Sequence, residues 1–313
     1  MTTQAGGTRP LDAARGRPGE LRFLDPAVLA RLGTLELKAR AVVEGLLSGL
    51  HRSPYKGFSV EFAEYRQYLP GDDLSTIDWK VYARTDRHYV KKFEEETNVD
   101  CHLLLDVSAS MGYGSRGVTK LEYGGLLASS LAFLMNRQRD AVGLTTFDDA
   151  IVTMVPPSAR PSHLRSILVT LDQTTLGHKT DVSKPLHLMA DGIGKRGLVV
   201  MISDLLDEPD RVVDGLRHFR FRGSEVIVFH LLDPAELTFP FDRATRFRDL
   251  ELGDEVMAVP SVVRKDYLDA LQAAVERYKR ELGSEGIDYR LIDTSTPLDF
   301  ALISYLSTRG RRR

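Results

Sequence analysis

The stretch CHLLLDVSASMGYG, residues 101–114, decides the fold. Apolar residues run into Asp106. Ser108 and Ser110 follow at alternate positions, then Met111 and Gly112. A short apolar run with no polar alternation is the mark of a strand buried on both faces of a parallel sheet. In an open α/β sheet, ligands gather in the crevice outside the carboxyl ends of the strands. Asp106 falls at such an end. A loop of the form D-x-S-x-S turns one carboxylate and two hydroxyls to the same side. Those are hard oxygen donors, suited to Mg²⁺ or Mn²⁺ and not to soft metals.

Downstream of this stretch, strand-like and helix-like segments alternate. KLEYGGLLASSLAFLMNRQ (120–138) has helical spacing, and DAVGLTTFD (140–148) and AIVTMVP (150–156) read as strands. Two helical segments, 160–173 and 183–194, precede the strand RGLVVMISD (196–204). A helix over 208–223 leads to the strand SEVIVFHLLD (224–233). The segment 247–260 reads as a hairpin turning at Gly253-Asp254. It is followed by a long amphipathic helix over 262–283, a last strand over 287–294 and a closing helix over 297–309. Strands alternating with helices predict a doubly wound, mostly parallel sheet with helices on both faces.

Upstream, residues 1–22 are rich in Gly, Pro, Arg and Ala and read as a disordered tail. Asp25 and Pro26 suit the start of a helix, and Leu32, Leu35, Ala39, Val42, Leu46 and Leu50 follow helical spacing, with Gly49 near the stop. FSVEFAEY (58–65) and HYVKKFEEE (88–96) are strand-like. Trp79 lies among Phe58, Phe62, Tyr65, Tyr68 and Tyr82, too many aromatics to leave in water. The expected organisation is a tail over 1–22, a helix/strand segment over 23–96 packed on the main domain, and an α/β domain over 97–310.

Bulk properties narrow the class. A net charge of −2 on 313 residues gives no reason to expect nucleic acid. With Cys101 as the one cysteine, no internal disulfide forms and a reducing compartment fits. The longest apolar candidate, 126–135, is broken by Ser129 and Ser130 and is too short to span a bilayer. The N-terminus has no apolar core of the kind a signal peptide needs. The chain reads as soluble and cytoplasmic.

Three ligands do not fill an octahedral site, so further oxygens are expected at other strand ends. LGHKTDVSKPL (176–186) puts Thr180 in a loop before a helix, and Asp204 follows an apolar strand as Asp106 does. Asp106, Ser108, Ser110, Thr180 and Asp204 would then share one solvated crevice. Asp181 suits a cap for the helix near Ser183, Asp207 reads as a surface loop residue, and GYGSRG (112–117) as a flexible loop at the rim.

D-x-S-x-S, a Thr in a helix-leading loop and an Asp after a later strand resemble the metal-ion-dependent adhesion site of von Willebrand factor A domains. EFAEYRQYLPGDDLSTIDWKVYARTDRHYVKKFEEE (61–96) resembles the signature of the bacterial family called domain of unknown function 58. The resemblance implies a von Willebrand A-like domain behind such a segment. It also implies Mg²⁺ or Mn²⁺ held by the five residues, with a coordination position open for a partner's carboxylate. The partner it implies is a MoxR-type AAA+ ATPase, served by this chain as adaptor or co-chaperone for a client. Relatives of that kind carry transmembrane helices upstream. This chain shows no such run, so a membrane location does not carry over.

Enzyme signatures fit poorly. A phosphatase of the haloacid dehalogenase type needs a second aspartate where Ser108 stands. DVSAS lacks the glycines of G-x-S-x-G, and GYGSRG matches a dinucleotide fingerprint by spacing but starts too far past the strand end. The expectation is no catalytic function. Two alternatives stay open: a metal-dependent hydrolase with His178 as base, and a metal-free scaffold. The eight histidines show no H-x-x-x-H or Cys/His spacing, which argues against a zinc site.

Overall fold

The computed structural model describes residues 33–52, 65–68, 89–91, 100–177, 181–194, 196–251 and 253–310, with Pro26, Leu29, Tyr82, Arg84 and Arg87. Helix α1 (Leu35–Arg52) is followed by strands β1 (Tyr65–Gln67) and β2 (Tyr89–Lys91), which pair antiparallel. Strand β3 (Asp100–Asp106) then opens the main body. It leads through a short 3-10 turn (Ala109–Gly112) to α2 (Lys120–Arg137), β4 (Ala141–Phe147), β5 (Ile151–Ser158) and α3 (His163–Asp172). Next come α4 (Ser183–Gly192), β6 (Gly197–Ser203), α5 (Pro209–Phe221), β7 (Glu225–Leu232) and the short α6 (Pro234–Thr238). The hairpin β8 (Thr245–Arg248) and β9 (Glu255–Ala258) precedes α7 (Pro260–Ser284), β10 (Asp288–Asp293) and α8 (Leu298–Gly310).

Six strands form the central sheet in the order β10-β7-β6-β3-β4-β5. All neighbours are parallel except β5, which returns antiparallel to β4 at the edge. The expected doubly wound sheet with helices on both faces is what forms. Side chains alternate between the faces with the strand period of two. On β3, Cys101, Leu103 and Leu105 join one apolar cluster and Leu104 joins the other. On β6, Leu198, Val200 and Ile202 face the first cluster, and Val199 and Met201 the second. The first is covered by α1, α2, α3 and α8, the second by α4, α5 and α7.

Pro26 and Leu29 are helical where the pattern predicts a helix, and α1 is set apart from them by a bend. A bend at Gly33 and Thr34 precedes it, with the Thr34 hydroxyl 3.5 Å from the Leu37 amide. Its apolar stripe is the predicted one: Val42, Val43 and Leu46 are buried with Leu29 in the first cluster. Each such side chain contributes roughly 1.5–3 kcal/mol by leaving water. Trp79 and most of the aromatic stretch around it lie outside the described residues.

The β8–β9 hairpin turns where expected, and Gly253 takes φ 76° there, a left-handed conformation that side chains resist. Among the described residues no helix is long and apolar enough to cross a membrane.

Candidate functional site

The chain leaves β3 for β4 on one side and later places β6 on the other side of β3. The carboxyl ends of β3 and β6 therefore flank the point where strand order reverses, where a doubly wound sheet opens a crevice. Leu105 pairs with Ile202, so Asp106, Ser203 and Asp204 meet at that crevice.

Asp106 is fully buried and held from both sides. Its Oδ1 accepts the Ser108 amide at 2.9 Å, and its Oδ2 accepts the Ser203 hydroxyl at 2.6 Å. The first bond bends the D-x-S-x-S loop back on its own aspartate, as Asx turns do. It brings the Ser108 and Ser110 hydroxyls within 3.1 Å of each other. The Ser203 oxygen also accepts the Leu205 amide at 2.9 Å, which shapes the turn carrying Asp204. Four of the five predicted residues thus share one cluster. Thr180, with His178, lies outside the described residues.

The crevice was expected to be solvated. Asp106, Ser108 and Asp204 are instead wholly removed from solvent. Burial and then the neighbouring Asp204 push the Asp106 carboxyl up to about 7, against its bonds to Ser203 and Ser108. An isolated carboxylate pair of this kind is costly.

Part of that cost is offset by a residue the sequence reading passed over. Lys120 is completely buried, and its Nζ lies 2.7 Å from Asp204 Oδ2 and 2.7 Å from Glu236 Oε1. Burial pulls the ammonium down, but the two carboxylates outweigh it and hold it above its ordinary range. Burial also raises Glu236, against the pull of Lys120. Glu236 has a second task. Its Oε2 accepts the Asp233 amide at 2.7 Å, while Asp233 Oδ1 accepts the Ala235 amide at 2.7 Å, a capping box at the start of α6. Another capping box, Thr119 with Glu122, starts α2 and puts Lys120 at its first position.

Behind the carboxylates, His230 bonds to the Asp204 backbone and to the Tyr289 hydroxyl, 2.7 Å from Nδ1. Burial holds it down at about 4, so it is neutral.

Three loop expectations change. GYGSRG is tied across the crevice, with the Ser115 amide and hydroxyl both donating to the Asp233 carboxylate. Asp207 is no mere surface residue. Its Oδ2 accepts the Val182 amide at 3.1 Å, anchoring the entry to α4 from the neighbouring loop. Val182, not Asp181, stands at the cap position of α4.

Beside Ser110 a cavity of about 580 Å³ opens. Lys120, Glu236, Tyr113, Phe239, Phe247 and Tyr267 are among the residues that line it. Phe239 packs on Phe247 and Tyr267 with ring centroids 5.5 and 4.8 Å apart.

The donor set suits a hard dication. Asp106, Asp204 and Glu236 against Lys120 leave two negative charges without a counter-charge when all are ionised. Among the described residues, the hydrogen bond to Asp204 Oδ1 comes from the Leu206 amide, 3.4 Å away. The remaining donors are hydroxyls, and among the described residues no group of three or more His, Cys, Asp or Glu side chains is arranged to hold a metal.

Lys120 and Glu236 had a signal in the sequence. T-x-x-E at 119–122 and D-P-x-E at 233–236 are helix-start signatures. A lysine at a first helical position opposes the helix dipole, so it calls for carboxylates close by. Ser203 carried no such signal.

Residues 64–277 match the family described as "Protein of unknown function DUF58". Uncharacterized proteins of Mycobacterium tuberculosis and Mycobacterium bovis are 28% identical over 293 residues, covering 92% of this chain and 91% of theirs. A conserved hypothetical protein BatB from Bacteroides thetaiotaomicron superposes with a TM-score of 0.49 at 17% identity, covering 69% of this chain and 100% of that one. An aerotolerance-related membrane protein from Bacteroides fragilis gives 0.48 at 20% identity, covering 67% and 99%.

Proposed function

The chain belongs to the DUF58 family, and from that premise we propose that it is a metal-dependent protein-binding module. Asp106, Ser108, Ser110 and Asp204, with Thr180, would hold Mg²⁺ or Mn²⁺. The observation that carries this reading is the uncompensated charge of the buried Asp106–Asp204–Glu236–Lys120 cluster beside two convergent hydroxyls. Such a cluster is an unstable arrangement without a cation. Bound there, the metal would supply positive charge for an anionic oxygen of a partner. Lys120 keeps Asp204 in place, Ser203 orients Asp106, and Asp233 holds the 112–117 loop at the rim. The cavity beside Ser110 gives the side chains that flank a partner's carboxylate an aromatic wall to pack on.

The family resemblance supplies the candidate partner, a MoxR-type AAA+ ATPase, with this chain as adaptor between ATPase and client in the cytoplasm. His230, the described histidine beside the cluster, is tied to the Asp204 backbone and to Tyr289 and does not supply the base a hydrolase needs; His178, the base of the hydrolase alternative, lies outside the described residues.

Calorimetry with Mg²⁺ and Mn²⁺, followed by capture of the ATPase with and without EDTA, tests the reading. Wild type should bind one equivalent of metal and lose capture in EDTA. Ser110→Ala, which removes a donor and leaves the charge cluster intact, should weaken both. Equal capture by wild type, Ser110→Ala and EDTA-treated protein would refute the adhesion mechanism and leave the scaffold reading.

A further inference from the structure

Away from this crevice, α4 and α5 pack side by side on the second face of the sheet. Their approach is close because Gly215 faces Leu186. A Cβ at Gly215 would meet Leu186 Cβ at 2.9 Å. One residue past Leu186 stands His187, and three past Gly215 stands His218. The two rings are drawn together, with centroids 5.3 Å apart and Nδ1 atoms 3.1 Å apart. On its other edge each ring faces a carboxylate. His187 Nε2 is 3.5 Å from Asp214 Oδ2, and His218 Nε2 is 3.4 Å from Asp191 Oδ1. The separation of 31 residues hides this pair from any reading by motif spacing.

The carboxylates favour the tautomer with the proton on Nε2. If both rings take it, two Nδ1 lone pairs point at each other, an arrangement that a shared cation relieves. Two imidazole nitrogens on one tetrahedral Zn²⁺ stand about 3.3 Å apart, given Zn–N bonds of about 2.0–2.1 Å. The observed 3.1 Å is close to that bite. A carboxylate behind each ligating histidine is the usual outer partner of such ligands. Here Asp191 and Asp214 also lie near enough to balance a dication, although Arg217 shares Asp214 through its Oδ1 at 3.5 Å.

We propose that His187 and His218 form a second metal site, selective for imidazole-seeking divalent ions such as Zn²⁺ or Cu²⁺, that clamps α4 to α5. Among the described residues no third His, Cys, Asp or Glu joins them, so water completes the coordination. The site is exposed enough to load from solution: the His187 side chain is 38% accessible and that of His218 25%. Its nitrogen donors and the oxygen donors around Asp106 select different ions, so the two sites load independently.

The full chain is titrated with Zn²⁺ in excess Mg²⁺, and with Cu²⁺ followed by electron paramagnetic resonance. One equivalent of Zn²⁺ should bind and raise Tm, because the ion binds the folded pair and not the separated helices. The Cu²⁺ spectrum should carry splittings from two nitrogens. His187→Ala and His218→Ala should each weaken Zn²⁺ binding on the order of tenfold or more, and Asp214→Asn by about tenfold. Ser110→Ala should leave it unchanged, which separates this site from the crevice. His187→Gln and His218→Gln make the same comparison should the alanine variants lose structure by circular dichroism. Folded His187 and His218 variants that bind Zn²⁺ as wild type does, or a Cu²⁺ spectrum without nitrogen splittings, would overturn the proposal.

Discussion

Asp106 carries two opposed demands. Its neighbours hold it in place to anchor the loop, and its burial penalises its charge. The sign of the resulting pH dependence follows from linkage. An exposed aspartate titrates near 3.9, and this one in the folded chain near 7. The folded state therefore binds the extra proton between those values. The stability associated with that proton is fully present below about 4 and is lost as pH rises through about 7. Metal-free protein should melt at a lower temperature at pH 8 than at pH 5.5, and Asp106→Asn should flatten that slope. A calorimetric Tm series in EDTA checks both. That Asp106 lies at a strand end was legible from CHLLLD alone. That it is dry was not, because burial depends on what later loops lay over it, and Ser203 is 97 residues away.

Among the described α-helices, α6 is the shortest, and it ties several segments together. It spans five residues, yet Asp233 at its cap holds Ala235 and the Ser115 loop, and Glu236 one turn on holds Lys120. Asp233→Ala removes a helix cap, which costs about 0.5–2 kcal/mol, and frees the Ser115 amide and hydroxyl as well. A total loss of about 2–3 kcal/mol is expected in urea unfolding, with faster amide exchange confined to 112–117 and α6. Uniform loss of protection across the sheet would contradict this division. Element types were legible wherever periodicity was long, as in α2, α7 and β6. Local bonds decided the details: the Gly33–Thr34 bend interrupts the predicted first helix, and Asp207 anchored the entry to α4 in place of Asp181.

Across the whole molecule, one apolar cluster runs without a break from α1 through α2 to the inner face of the sheet. Residues 23–96 were expected to pack on the domain; of that segment, Leu29, Val42, Val43 and Leu46 lie in this cluster. No sequence pattern says which face a leading helix will cover, since α1, α4 and α5 are all amphipathic by spacing. The same cluster encloses Cys101 at the first turn of β3, and only 2% of that residue is accessible. The chain's lone thiol is thereby a clock. A thiol-reactive dye can label it only when the sheet opens, so the labelling rate in excess dye counts openings of the core one by one. Val43→Asp, a charge placed in the cluster on a different element, should quicken that clock by orders of magnitude, whereas Ser110→Ala should leave it ticking at its original rate.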